Sequence, residues 1–385
     1  MKTDNDTLEK GSKTQHSRND KRKMVDGNAC SATKKLKWEA KQERKQEESS
    51  KKQERSSWFE KNSSFCTRVC LHDVEQAKMG KRDKLNQLLL PYMDLKDGPK
   101  NDVKSENIFI AEGTETVRLL IQHSSNHKIT IKSILVKSAT LFEAPVNLLN
   151  EINLLRTASN DELPFPVLVG DEQALSMIVG YQISRGALAC GIVPSGMRDE
   201  TFLDTLIAKN SNLQFLALDG ICDAANMGSM IRCAAAFGID AIVLSQNCCD
   251  PWYRRSVRVS MGHVFHIPII RVLDLVTTLT LFGERNITTY AAVIDHDAEV
   301  VLETLAKGDV PLAWCCVMGN EGNGLSKNVE NACITRLRIK MAHGVDSLSV
   351  PIATGILLHG LRERSRGEYK LHMGLDAQES EQQLP

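Results

Sequence analysis

The sequence predicts an α/β protein: a parallel-sheet domain in the C-terminal half, a smaller α/β domain before it, and a basic extension in front of both. Three observations carry this. From Phe215 onward, short apolar runs alternate with segments of helical periodicity, the pattern of strands joined by crossover helices. The run Ala313-Trp-Cys-Cys-Val317 is apolar throughout, as a central strand covered on both faces must be. Residues 1–64 lack apolar periodicity and are rich in Lys, Glu, Gln and Ser, so they bury too little surface to offset the entropy of ordering.

Residues 1–104 read as a basic, largely disordered extension with room for helices. Residues 1–60 hold 16 Lys/Arg against 11 Asp/Glu, an excess that suits a polyanion contact or a nuclear address, though a solvated tail has the same composition. Lys21-Arg-Lys23 and Lys34-Lys-Leu-Lys37 have the layout of a bipartite import signal. They predict a nuclear or cytoplasmic protein that is not secreted. Trp38 to Arg55 favours a helix but has almost no apolar stripe, which predicts a solvated, marginal one. Val74 to Leu95 predicts a helix with Leu85, Leu88 and Leu89 on one side, broken at Asp97-Gly-Pro99.

Residues 105–197 predict the small α/β domain. Its strands fall at Ile108–Ala111, Ile129–Val136, Pro166–Val169 and Ala187–Val193, with helices after Glu112-Gly113 and over Glu172–Ile178. Arg198 to Asn212 predicts a linker helix. Residues 206–366 predict the larger domain. Strands are expected at Phe215–Leu218, Ala241–Leu244, His266–Ile270, Thr288–Val293, Ala313–Val317 and Arg336–Ile339. Helices are expected at Met227–Phe237, Tyr253–Met261, Leu273–Phe282, Val300–Ala306, Asn328–Cys333 and Val350–Arg362. Residues 367–385 read as a loose polar tail.

Several function classes are excluded at this level. Formal net charge is zero, so total charge names no partner. Eleven cysteines form no paired C-x-x-C sets, which points to reduced thiols and no metal site. No apolar run approaches the ~18 residues of a membrane span. The first strand of the larger domain is not followed by a dinucleotide-type glycine fingerprint, and there is no Walker loop, so a hydrolase built on Asp219 has little support.

Three stretches carry the chemistry. Asn226-Met-Gly-Ser-Met-Ile-Arg232 follows a strand and opens a helix that Asn226 is placed to cap. Gly228 would admit a ligand or another backbone, and Arg232 offers a planar fork of donors suited to a phosphate. Met318-Gly-Asn-Glu-Gly-Asn-Gly324 makes a tight turn at a strand's C-terminal end, where open α/β sheets bind ligands. Asp346-Ser-Leu-Ser-Val350 leads into the last helix.

In order and spacing these stretches resemble the three motifs of the SpoU (TrmH-like) RNA 2'-O-ribose methyltransferases of the SPOUT superfamily. Ser260-Met-Gly262 and His266-Ile-Pro268 match further landmarks, and Phe109-Ile-Ala-Glu-Gly113 resembles the start of a ribosomal-protein-like RNA-binding domain. The resemblance implies a knotted trefoil fold, S-adenosyl-L-methionine as cofactor and an RNA substrate, tRNA or rRNA. It also implies a homodimer with RNA across the subunit boundary, with no membrane and no metal. It casts Arg232, Asn226, Glu321 and Ser349 as catalytic, with Arg232 activating the ribose hydroxyl. Glu321 would orient Arg232 or a partner chain's arginine. It assigns Gly319, Asn320, Gly322, Ile339, Ser347 and Leu348 to the cofactor.

The chain departs from the family pattern where Ser349 stands for Asn, Lys340 for Pro and Pro351 for Ser. These departures motivate the alternative of a catalytically weak or inactive SPOUT-fold RNA-binding or assembly factor. A base methyltransferase of the same superfamily is a second alternative. His263 and His266 read as ordinary loop residues rather than as a metal site or a base.

Overall fold

Runs of aliphatic and β-branched residues build two sheets, and aspartates at helix starts set where the intervening helices begin. The computed structural model describes residues 37–51, 53, 57, 66–80, 83–95, 107–124, 129–142, 148–158, 164–183, 186–194, 200–345 and 347–365. The chain divides into two units, 1–64 and 65–385. In the first, helix α1 (37–51) is exposed at every residue, as a helix without an apolar stripe must be. The basic cluster at 21–23 and all but Lys37 of the second lie outside the described residues, as does the tail beyond 365.

The second unit opens with β1 (Cys66–Val69), α2 (Leu71–Lys78) and α3 (Lys84–Leu89). The expected single helix over Val74–Leu95 is therefore two helices, parted where Gly80 takes φ 78°. The small sheet also starts at Cys66, not after residue 104. β1 pairs in parallel with β4 (Val167–Gly170) as the sheet's edge. Its four residues include Thr67 and Arg68, both exposed, so no apolar run announces it. The remaining elements are β2 (Ile108–Glu112), α4 (Thr114–Ser124), β3 (Ile131–Lys137), α5 (Ser138–Phe142), α6 (Leu148–Ala158), α7 (Glu172–Val179) and β5 (Ala187–Ile192). The order is β1-β4-β3-β5-β2, with β5 antiparallel to both neighbours. Tyr92 pins the α2–α3 hairpin to this sheet. Its hydroxyl contacts Ser133 O at 2.8 Å and accepts from Cys190 N at 3.0 Å.

After α8 (Glu200–Lys209) come β6 (Gln214–Leu218), α9 (Ala224–Ala236), β7 (Ala241–Leu244), α10 (Arg254–Val259), β8 (Ile269–Arg271), α11 (Leu275–Glu284) and β9 (Thr288–Ala292). The chain continues through β10 (Val300–Val301), β11 (Trp314–Met318), α12 (Lys327–Ala332) and β12 (Thr335–Arg338) to α13 (Val350–Arg364). The order β10-β12-β9-β11-β6-β7-β8 is parallel at every pairing. β6, β7 and β11 are buried at every position, as two-faced cover requires.

The helix expected over Val300–Ala306 is instead the two-residue β10 and a 3-10 turn at Leu302–Thr304. The segment is used to hold the stretch after β12 and the end of α13. Glu303 accepts from Lys340 N at 3.0 Å, and Leu305 O accepts from Arg364 Nε at 2.8 Å. Ser365 Oγ donates to Pro311 O at 2.8 Å. Lys340 thus uses a backbone N–H that the family's proline lacks.

Asp223, not Asn226, caps α9, accepting from the amides of Ala225 and Asn226 at 2.8 and 2.9 Å. Gly228 faces α10: a Cβ there would stand 2.5 Å from Ser256 O and 2.9 Å from Val259 Cβ. It serves a close helix crossing rather than a ligand. Gly228→Ala is expected to cost about 3 kcal/mol, the upper end of overpacking effects. The denaturation midpoint measures this, and an unchanged midpoint would contradict the close packing.

Candidate functional site: a main-chain pocket beside an exposed arginine

A cavity of ≈ 480 Å³ opens at the C-terminal ends of β9, β11 and β12. The turn after β11 forms its floor. Gly319 is buried, and a Cβ on it would stand 2.2 Å from both Gly324 C and Leu325 N. Asn320 and Gly324 exchange backbone hydrogen bonds at 3.0 and 2.9 Å across the turn. The Asn320 side chain accepts from Gly322 N at 2.8 Å and donates to Gly220 O at 2.8 Å. It therefore ties the turn to the loop after β6. Asp219 is also structural: its carboxylate accepts from Ser326 N and Oγ at 3.0 and 2.8 Å, which removes it as a hydrolytic group.

The six residues assigned to the cofactor, Gly319, Asn320, Gly322, Ile339, Ser347 and Leu348, all line this cavity, as does Glu321. Asp346 lies outside the described residues. Asn226, Arg232 and Ser349 do not line it. Asn226 reaches it indirectly, donating from Nδ2 to Glu321 Oε1 at 2.5 Å. Glu321 is thus held by Asn226, and no bond to Arg232 is present among the described residues. Arg232 lies six residues on, about 9 Å along the helix axis and about 120° around it. Its side chain is exposed, with no hydrogen bond or ion pair among the described residues.

Ser349 is the N-cap residue of α13, yet its side chain makes no cap bond and is exposed. Pro351 sits in the first turn, where its missing N–H costs nothing. α13 packs along α9, with Gly355 in contact range of Cys233 Sγ. The two helices thus carry their respective motifs side by side.

Sequence reasoning missed Asp295, Lys327 and Glu330, which also line the cavity. Asp295 follows the C-terminal end of β9, a position that could have flagged it. Asp295, Asp297, Glu299 and Glu330 all face Arg336, at 3.2 to 3.8 Å. This network holds the β9–β10 loop against β12. On the other side of α9, burial pushes the His263 imidazole below its usual range; the Arg232 charge lowers it further and Glu115 opposes. Among the described residues no group of three or more His, Cys, Asp or Glu is placed to hold a metal ion. No described helix is long and apolar enough to cross a membrane.

Comparison with known proteins places this geometry. The SpoU rRNA Methylase family matches residues 214–359, which contain all three motifs. An uncharacterised tRNA/rRNA methyltransferase of Mycobacterium tuberculosis is 30% identical over 209 residues, 54% of this chain and 69% of its own length. The 23S rRNA (guanosine-2'-O-)-methyltransferase RlmB of Escherichia coli is 32% identical over 187 residues, 47% of this chain and 75% of its own. The SpoU methyltransferase AviRb of Streptomyces viridochromogenes, solved with AdoMet, shares the fold. Its TM-score is 0.55 at 19% identity, over 73% of this chain and 97% of that one. An RNA 2'-O ribose methyltransferase structure matches with a TM-score of 0.54 at 20% identity, over 77% and 99%. With the parallel sheet, the glycine turn and the relatives in agreement, the chain belongs to the SpoU rRNA methylase family of RNA methyltransferases, built on the α/β SPOUT fold.

Proposed function

We propose that this protein transfers a methyl group from S-adenosylmethionine to a ribose 2'-hydroxyl in structured RNA, tRNA or rRNA. The observation that carries the reading is a cavity floored by bare main chain beside a helix that presents a guanidinium exposed and without an ion pair among the described residues. The residues fit the cofactor. The volume lies within the range of small-molecule sites. Ile339, Leu348 and Leu357 give apolar walls, and the Glu321 carboxylate adds a negative group to the lining. Bound there, S-adenosylmethionine supplies an already electrophilic methyl, so the hard chemistry belongs to the cofactor.

This chain's residues have the remaining work. Gly319 lets the turn close on itself, so that its main chain floors the cofactor site. Asn226 fixes Glu321 at the rim. Arg232 clamps the RNA phosphate and stabilises negative charge developing on the hydroxyl oxygen. An arginine keeps its proton up to about pH 12, so this role is less demanding than acting as the base. Alignment of the hydroxyl with the methyl supplies much of the acceleration, on the order of 7 kcal/mol.

The working form is a homodimer in this reading. Ile352 and Ile356 lie four residues apart on one face of α13, 56% and 38% exposed, and Leu348 just before the helix is 36% exposed. A second copy covering this face would bring that copy's groups to the cavity. In this reading the small domain runs from β1 to 197 and the larger one from 206 to 366. A nuclear or cytoplasmic address through 21–37 is tested by imaging the protein with that segment deleted.

The inactive-factor reading is favoured by Ser349, Lys340 and Pro351, and calorimetry with S-adenosylmethionine separates the two. Ser349→Asn is expected to keep the methyl-transfer rate or raise it up to about tenfold, the worth of one added hydrogen bond. A collapse in kcat would mean that the serine hydroxyl is itself used. The function as a whole is tested by mapping 2'-O-methyl sites in total RNA with and without this protein. A site that disappears with the protein supports the reading, and identical maps overturn it.

A further inference from the structure

Helix α10 is short, and both its faces are occupied. On one side Arg254 and Arg258 reach Glu112, at the end of β2 in the small sheet, at 3.6 and 3.4 Å. Glu112 is 3% exposed. Arg254 also donates to the Tyr181 hydroxyl at 3.0 Å and lies 5.5 Å from the centre of that ring. On the other side Ser256 and Val259 meet Gly228 of α9, and Ser256 Oγ donates to Ala224 O at 2.9 Å.

Apolar contacts surround this polar joint. Phe109 of β2 lies 5.0 Å from Trp252 and 5.5 Å from Phe265, ring centre to ring centre. Gly262, at φ +85°, lets the turn after α10 sit against Leu119 of α4. One short path therefore runs from the small domain to the catalytic helix: Glu112, α10, α9, Arg232. A buried carboxylate facing two guanidiniums holds a narrow geometry, because any slippage leaves a charge without partner or water.

We infer that Glu112 is a positioning residue: through Arg254 and Arg258 it fixes where the small domain delivers RNA relative to Arg232, and so selects the nucleotide that is methylated. This rests on the RNA-methylation reading above. A purely structural ion pair would change melting temperature alone. A positioning pair also changes which nucleotide reacts and lowers kcat while the KM for S-adenosylmethionine stays put.

The test uses the full chain with S-adenosylmethionine and, as probe, total RNA from cells lacking the protein. Wild type is expected to methylate a defined nucleotide. Glu112→Ala is expected to lower kcat at that nucleotide by about tenfold or more, since small misplacements cost at least that much, and to spread methylation to neighbouring nucleotides. Glu112→Asp, which keeps the charge, restores the original choice. Arg258→Gln, at a side chain 43% exposed, carries the same test should Glu112→Ala fail to fold. Variants that melt lower but methylate the wild-type nucleotide at the wild-type kcat sink the inference alone. A wild type that methylates no RNA sinks the functional reading, and the inference with it.

Discussion

Replacing Arg232 by alanine is expected to lower methyl transfer by about 10³-fold, the scale set by removing one preorganised donor from developing negative charge. S-adenosylmethionine affinity should stay within about twofold of wild type, a difference under half a kcal/mol. The split follows from placement. Arg232 does not line the cavity, is exposed, and has no hydrogen bond or ion pair among the described residues that its loss would strand. Its removal should therefore leave the fold and the cofactor site as they are. Arg232→Lys should recover little, because an ammonium cannot present the guanidinium's fork to a phosphate. Rate assays paired with calorimetry check this. Joint loss of rate, affinity and melting temperature would instead make Arg232 a folding residue.

Gly319→Ala should do the reverse. The added Cβ would stand 2.2 Å from Gly324 C and Leu325 N, and both obstacles are backbone. They cannot retreat without breaking the Asn320–Gly324 exchange and the Asn320 bond to Gly220 O. The turn must open, and the floor of the cavity moves with it. The expected loss is about 100-fold in S-adenosylmethionine affinity, or ~2.8 kcal/mol, with kcat at saturating cofactor falling less. Gly322→Ala is the control. Its Cβ would meet nothing closer than Asn320 Oδ1 at 3.5 Å, so binding should change little. Wild-type affinity in both variants would show that the turn tolerates a side chain and that the cofactor binds elsewhere.

The larger sheet was legible because its central strands β6, β7 and β11 are buried on both faces and read as unbroken apolar runs, as in Trp314–Met318. The cofactor turn was legible because glycine spacing is a backbone requirement written directly in the sequence. What escaped depended on distant partners. β1 is a four-residue edge strand with two polar residues, and only its pairing with β4 makes it a strand. Val300–Ala306 has a helical composition but is drawn to the sheet edge beside β12 and to the last turn of α13. Asn226 satisfied the rule for a helix cap, yet Asp223 took that place and freed the amide for Glu321, 95 residues away in sequence. The joint at Glu112 ties β2 of the small sheet to helix α10, and nothing in the local pattern of either announces it.

The most direct measurement is to incubate the purified protein with RNA and methyl-deuterated S-adenosylmethionine, digest the RNA, and weigh its nucleosides. The account predicts deuterium in a 2'-O-methylnucleoside, lost with Arg232→Ala and with Gly319→Ala at low cofactor. Label in a base, or label that survives Arg232→Ala, would contradict it.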